Sequence, residues 1–461
     1  MALMKRDLGS AKRGRLDITP KWVDIQTCII TCWHMNTRTS LALALGLLAL
    51  SAHNVRPQCF TFTTIAGSAG QSGTNDGVNT SARFYGSGGV ALGPDGDLYV
   101  LDGSVVRKAT RSGGNWLVVS LATLPNAGFG YGIAADSSGV VYIADTAGQT
   151  IWSASQVGGA WSMKFLAGGG GASPGSRDGL GASARFRDPY ALAVDSRTNL
   201  YVADCDNYTI RTVVPSGTSW MVTTIAGLAG VSGSDDGTNS SARFSGPIGI
   251  TRDAMGDLYV TDYWAHTVRS IRHEGTNWVV TTLAGRPGWP GSNDGTNDQA
   301  RFNNPRGIAV DRTGNLYVSE ASNQTIRRIT RVGTNWVVTT IGGLAGNSGS
   351  ADGLGSSARF HTPAGLAADP VGNLYVADMN NYTLRLGRPL YSLKIAPAVK
   401  AVALSWPLLA SNFVLETTSM LYTNAAWAPV TEGVEISGDR FSITRPADID
   451  SGFYRLRKLS D

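Results

Sequence analysis

The chain has 461 residues, more than one ordinary domain needs, with 42% hydrophobic and only 16% charged residues and 57 glycines. That apolar share is ample for a core and excludes wholesale disorder, while no apolar run reaches the roughly 18–20 residues of a bilayer-spanning helix. The formal charge of +5 points to nucleic acid only until it is located: eight of the 39 basic and three of the 34 acidic residues lie within residues 1–59. The rest of the chain is therefore electrically balanced, with no cationic surplus to neutralise phosphates, and a nucleic-acid partner is excluded.

Residues 1–52 read as a leader. Residues 41–52 (LALALGLLALSA) form a twelve-residue apolar run after Arg38 and before polar His53 and Asn54. A basic flank, a short apolar core and small residues at its end make a secretory signal peptide, with a buried helix as the alternative. The forty residues before the apolar core are long for such a leader, and Met35 is the expected start. Cys28 and Cys32 fall in this leader, leaving Cys59 and Cys205 for the mature chain, too few for a disulfide framework. Both are expected to stay as thiols.

From residue 60 onward the chain repeats. Leu98-Tyr-Val100, Val141-Tyr-Ile143, Leu200-Tyr-Val202, Leu258-Tyr-Val260, Leu316-Tyr-Val318 and Leu374-Tyr-Val376 recur at spacings of 43, 59, 58, 58 and 58 residues. Each unit holds four β-branched runs, a to d, separated by turn residues such as Pro94-Asp95-Gly96 and Gly333-Thr-Asn335. Four-stranded antiparallel units that bury both faces against like neighbours predict an all-β, six-bladed β-propeller over residues 60–388. The sixth unit lacks its strand d, and a matching strand stands orphaned at residues 60–67 (FTFTTIAG). That strand is expected to complete the last blade and close the ring, which removes two exposed sheet edges.

Pro305-Arg-Gly-Ile-Ala-Val-Asp-Arg-Thr-Gly-Asn-Leu-Tyr-Val-Ser-Glu320, followed by Asn323 and Thr325-Ile-Arg327, resembles the NHL repeat, and all six units share the pattern. The resemblance implies the propeller fold. It implies no activity, because that family includes protein-binding, RNA-binding and enzymatic members.

Comparison among the six units separates residues that serve every blade from residues that break the pattern. Asp-Gly followed seven positions later by Arg occurs five times, as Asp76/Arg83, Asp178/Arg185, Asp236/Arg243, Asp294/Arg301 and Asp352/Arg359, and is missing from the short second unit. This joint loss predicts an Asp–Arg ion pair holding each long d–a loop to its blade. A calcium loop at residues 293–298 is the rival, but it gathers too few acids for a hard cation. The acids closing strand b (Asp102, Asp145, Asp204, Asp262, Glu320, Asp378) are read as turn caps, and the strand-d tryptophans as packing residues. Asn207, Asn323 and Asn381 match a glycosylation acceptor but share one repeat position and are read as the entry to strand c.

Alternating strand directions place the b–c and d–a loops on one face, and d–a loops of roughly 17–20 residues without structure of their own are usually functional or disordered. Residues there that break the repeat are the candidate binding set: Tyr263, Trp264 and His266 in the fourth unit, Trp289 and Arg306 near the fifth, and His361 near the sixth. Aromatic and arginine side chains supply much of the energy of interfaces. The alternative is that they pack the loops over the channel mouth.

After residue 388 the repeat stops. Short alternating apolar runs parted by Pro and Gly in residues 389–461 predict a small β-sandwich-like module. Leu404-Ser-Trp-Pro407, Trp427-Ala-Pro-Val430 and Phe453-Tyr-Arg-Leu456 resemble a C-terminal β-module of large exported bacterial proteins, which implies secretion or a periplasmic or surface location.

The leading expectation is a secreted, non-catalytic scaffold that binds a protein or glycan, with no cofactor and no metal. The enzymatic alternative is a propeller hydrolase, lactonase or lyase with a metal or general base in the central channel. The mature chain offers four histidines without HxH or HExxH spacing and no Gly-x-Ser-x-Gly elbow.

Overall fold

The computed structural model describes residues 59–125, 129–169 and 174–390, and from the tail residues 394–398, 401–407, 413–418, 427–430, 432–437, 440–446 and 453–458. The leader, with its expected signal segment, lies outside the described residues. Two compact units result, the larger ending at Leu390 and the smaller containing the tail.

The larger unit consists of six antiparallel sheets. Its first blade runs Ser87–Leu92, Leu98–Asp102, Val105–Ser112 and Asn115–Thr123, from the innermost strand a to the outer strand d. The innermost strands touch one another in sequence: Ser87–Leu92, Gly132–Ala135, Pro189–Val194, Pro247–Arg252, Pro305–Val310, Pro363–Ala368, then Ser87–Leu92 again. They form a circuit around a central channel.

Five of the six sheets have five strands rather than the four read from the sequence. The extra strand is two residues long, as in Gly77–Val78 beside Asn115–Thr123 or Gly295–Thr296 beside Asn335–Gly343. Two residues carry no legible alternation, which is why the sequence reads them as loop. In these five blades the d–a loop thus first crosses to the outer edge of the blade it precedes and then dives to the channel. The second blade, Gly132–Ala135 to Ala160–Ala167, keeps four strands.

The sixth blade takes its strand d from residues 60–67. Phe60–Gly67 pairs antiparallel with Thr383–Pro389, from Phe60 opposite Pro389 to Gly67 opposite Thr383. Aromatic contacts follow the same logic. Each strand-d tryptophan meets the strand-b tyrosine of the preceding blade edge to face, as Trp161 with Tyr99, Trp220 with Tyr142, Trp278 with Tyr201 and Trp336 with Tyr259. Trp116 meets Tyr375 across the seam between the last and first blades. Where the sixth blade has no tryptophan, Phe60 takes the place against Tyr317 at 5.9 Å. Phe62 then fills a slot kept open by Gly342 and Gly387, where a Cβ would stand 2.3 and 2.5 Å from its ring.

A buried guanidinium organises five blades. Arg107, Arg211, Arg269, Arg327 and Arg385, each the third residue of its strand c, are fully buried. One arm of each reaches the acid closing strand b (Asp102, Asp204, Asp262, Glu320, Asp378) at 2.7–3.4 Å. The other reaches the d–a loop aspartate (Asp76, Asp178, Asp236, Asp294, Asp352) at 2.6–2.9 Å. The ring of Phe84, Phe186, Phe244, Phe302 or Phe360 lies 4.9–5.3 Å from the guanidinium carbon.

This corrects the expected pairing of Asp76 with Arg83 and of its four counterparts. Between the two residues the chain makes a tight helical turn (Asn79–Ser81), which turns Arg83 toward the carbonyls of Thr80 and Ala82. Arg185, Arg243, Arg301 and Arg359 likewise brace their own turns, with no part in an ion pair to Asp178, Asp236, Asp294 or Asp352. The loop aspartate, besides its arginine, accepts from a backbone N–H and hydroxyl of strand d, as Asp294 does from Thr340 and Asp352 from Thr64. In the second blade Trp152 stands where the arginine would be, and the loop aspartate is missing with it. The unit loses the whole device at once.

The strand-b acids also cap backbone, as when Asp262 accepts from Ser245 and Gly246. Asn207, Asn323 and Asn381 are buried and donate to that acid and to a loop carbonyl, as Asn323 does to Glu320 and Gly291. Burial outweighs the arginine and pushes the carboxyls of Asp204, Asp262 and Asp378 up to about 6.

In the tail, Lys394–Ala398, Ala401–Pro407, Arg440–Pro446 and Glu435–Ser437 form one sheet, and Ala428–Pro429, Phe413–Thr418 and Phe453–Lys458 a second. Leu404, Trp406 and Ile443 from the first and Leu415 and Leu456 from the second share one core with Val430.

Two outcomes test these packing arguments. Phe62→Ala empties a slot that no neighbour can refill and should cost about 3–5 kcal/mol, read by chemical denaturation. Arg211→Met strands the buried Asp204 and should cost about 3–5 kcal/mol at pH 7.5. Because the folded Asp204 carboxyl, at about 6, lies above its ordinary 3.8, its contribution to stability is full below about pH 4 and lost as pH rises through 6. Arg211 lowers that pKa, so its loss raises the Asp204 carboxyl further and part of the Arg211→Met deficit should return when the denaturation is repeated at pH 5.

Candidate functional site

The blades present their variable chemistry where strand a begins, on the face of the b–c and d–a loops. One register position, the second of strand a or its equivalent, is occupied around the ring by Gly88, Tyr131, Tyr190, Ile248, Arg306 and Ala364. The next layer inward is Gly89, Gly132, Ala191, Gly249, Gly307 and Gly365. A Cβ on Gly249 would lie 2.2 Å from the Arg306 carbonyl, and one on Gly307 2.1 Å from that of Ala364. At Gly249 and Gly307 the inner strands thus approach too closely for a side chain. Below them Val90, Ile133, Leu192, Ile250, Ile308 and Leu366 make an aliphatic floor. A cavity of about 70 Å³ remains at the mouth, space for a few waters or one small polar group.

Arg306 dominates this mouth. From the fifth blade it crosses to the opposite wall, with its guanidinium 4.9 Å from the Tyr131 ring and 5.6 Å from that of Tyr190. Its Nη2 donates to the Tyr190 hydroxyl at 2.5 Å and its Nη1 to the weakly accepting Met379 Sδ at 3.6 Å. The two tyrosine rings stack at 4.4 Å and 4°. Outward, Phe129 lies 5.9 Å from Tyr131, and Tyr85 lies 6.1 Å from Phe129. An aromatic strip therefore runs from exposed Tyr85 and Phe129 at the rim to half-buried Tyr190 in the channel. Burial pushes the Tyr190 hydroxyl above its ordinary range, so it stays protonated at neutral pH.

The other sequence candidates are scattered. Tyr263 and Trp264 meet edge to face at 5.7 Å, and the Trp264 indole covers Gly246 while remaining half exposed. Trp289 is 58% exposed and stacks with Arg286. His266 sits in the left-handed region at φ 60°, and its Nδ1 accepts from the backbone of Asn304. Gln149 and Gln324 do the same for Asp188 and Thr362, so His266 follows the repeat in role though not in residue type. Burial lowers the His266 pKa. His361 gives its backbone N–H to Asp378. Sequence reasoning missed Tyr85, Phe129, Tyr131 and Tyr190. The last two were legible as oddities at a strand-a position that is, Arg306 apart, otherwise small or aliphatic, once the six units are aligned on their Leu-Tyr-Val cores.

The fold and its site define a class. Residues 294–386 match the Teneurin NHL domain and residues 244–269 the NHL repeat. The chain carries NHL repeats in a propeller-like, all-β fold. Teneurin-3 of Mus musculus is 27% identical over 341 residues, 64% of this chain and 12% of that protein. NHL repeat-containing protein 2 of Homo sapiens is 25% identical over 248 residues, 48% of this chain and 34% of that protein. Protein SUPPRESSOR OF QUENCHING 1, chloroplastic, of Arabidopsis thaliana is 25% identical over 276 residues, 46% of this chain and 26% of that protein. The matched regions span about a third or less of these relatives. An auxiliary nutrient binding protein from Bacteroides ovatus superposes with a TM-score of 0.56 at 18% identity, over 72% of this chain and 78% of its own. A protein of unknown function from Bacteroides thetaiotaomicron gives 0.55 at 21%, over 72% and 76%. At these identities the likeness is one of fold. No helix among the described residues is long and apolar enough to cross a membrane.

Proposed function

We propose that this chain is an exported binding protein that receives a glycan on the loop face of its propeller, at the channel mouth. The observation that carries the reading is the aromatic strip from Tyr85 and Phe129 through Tyr131 to Tyr190. Flat apolar faces at an exposed rim suit sugar rings, whose C–H faces lie on aromatics while their hydroxyls stay in water. A ligand of more than a few atoms is held above the mouth, because the cavity beneath it is small and floored by aliphatic side chains. Trp264 and Trp289, also exposed on this face, offer further stacking surface.

Burial keeps the Tyr190 hydroxyl protonated, so it offers a donor at the mouth and no general base. The leader and the resemblance of the tail to modules of exported proteins support export.

Tyr85→Ala combined with Phe129→Ala should leave the melting temperature within about 2 °C, as exposed side chains do. It should weaken binding to the responding member of an oligosaccharide panel at least tenfold by calorimetry. Unchanged affinity would remove the strip from the site. Export is tested by N-terminal sequencing of the protein recovered outside the cytoplasm, with a mature start close after residue 52 expected and an intact leader contradicting it.

A further inference from the structure

Six arginines of the larger unit are buried among the described residues: Arg107, Arg211, Arg269, Arg306, Arg327 and Arg385. Five of them are each joined to two carboxylates. Arg306, 9% exposed, belongs to no ion pair among the described residues. Its charge rests on two tyrosine faces, one hydroxyl and a thioether. A guanidinium carries five N–H donors in a planar fork, and a buried one without an anion is costly to hold. The rest of this fold never leaves a buried arginine so. Arg306 alone also opens onto the cavity.

We propose that Arg306 is the anchor for a carboxylate of the ligand, and that the glycan received at this mouth is an acidic one bearing hexuronate residues. This rests on the glycan reading above and adds the charge of the sugar to it. The fork of Arg306 suits a carboxylate edge, with two parallel N–H···O bonds. The cavity of about 70 Å³ admits such a group while the sugar ring remains above, at the level of Tyr131 and Phe129. The stacked tyrosines hold the guanidinium across the channel in the meantime, so it is positioned before the ligand arrives. Acids on the same loop face have other partners: Asp188 accepts from Gln149, and Asp378 and Glu320 are held by Arg385 and Arg327.

The test measures calorimetric affinity of the full chain for a hexuronate oligosaccharide, a neutral oligosaccharide of equal length and inorganic phosphate. The expected result is hexuronate binding at least tenfold tighter than the neutral sugar, with phosphate at least tenfold weaker than hexuronate. Arg306→Gln should abolish that preference, and Arg306→Lys, which keeps the charge and loses the fork, should retain only part of it. Equal affinity for acidic and neutral sugars would overturn the carboxylate anchor and leave the glycan reading standing. Phosphate binding as tight as hexuronate would replace the acidic sugar with a simple anion. No binding by either sugar would bring both readings down. Should Arg306→Gln fail to fold, Arg306→Lys decides: a preference for hexuronate undiminished from that of the unaltered chain would overturn the guanidinium fork as its anchor.

Discussion

A single buried guanidinium in each of five blades is the interaction from which most of this architecture follows. At the third residue of strand c it lies out of reach of water, and its Nη donors are met from within the protein, while its Nε–H has no hydrogen-bond partner among the described residues. It draws in the acid that ends strand b, two backbone carbonyls and the loop aspartate, as Arg327 does with Glu320, Arg301, Asn293 and Asp294. The loop aspartate is thereby fixed against strand d, and the residues that follow it lie down as the fifth strand. Only then does the chain turn inward to start strand a. The arginine thus decides where each blade delivers its first channel residue.

The second blade shows what happens without it. Trp152 replaces the arginine and donates its indole N–H to Thr150, and the buried Asp145 is met by Gly148 and Thr150 instead. With no aspartate to anchor, no outer strand forms among the described residues of the preceding loop, and the sheet stops at four. It is from this departure that Phe129 and Tyr131 enter the mouth. The rim is uneven because one blade lacks the device that makes the other five alike.

The channel itself divides by depth. Its middle layer is small because neighbouring backbones nearly touch, and its floor is aliphatic because six strands must fill the axis without buried polar groups. Neither layer has freedom to vary. The mouth does, and it holds two tyrosines and an arginine among small or aliphatic counterparts. Chemistry that could distinguish this protein from others of its fold is concentrated in that one layer.

The Leu-Tyr-Val cores, the turn glycines and the orphaned strand at 60–67 were readable because β periodicity and turn chemistry are local, and because six copies of one pattern reinforce one another. The pairing of Phe60–Gly67 with Thr383–Pro389 followed from counting strands. Contact partners did not follow in the same way. Asp294 and Arg301 recur together seven residues apart, yet Asp294 binds Arg327, thirty-three residues on, because a tight turn sends Arg301 elsewhere. His266 looked singular by type, and only its bond to Asn304 reveals the task it shares with Gln149 and Gln324. Tyr131, Tyr190 and Arg306 come from three blades and meet only across the axis. Sequence alone determined the four repeating strands of each unit, since those depend on neighbours along the chain. Which buried charge answers which, and which side chains face one another over the channel, was decided by closure of the ring, which brings together groups that no local pattern relates.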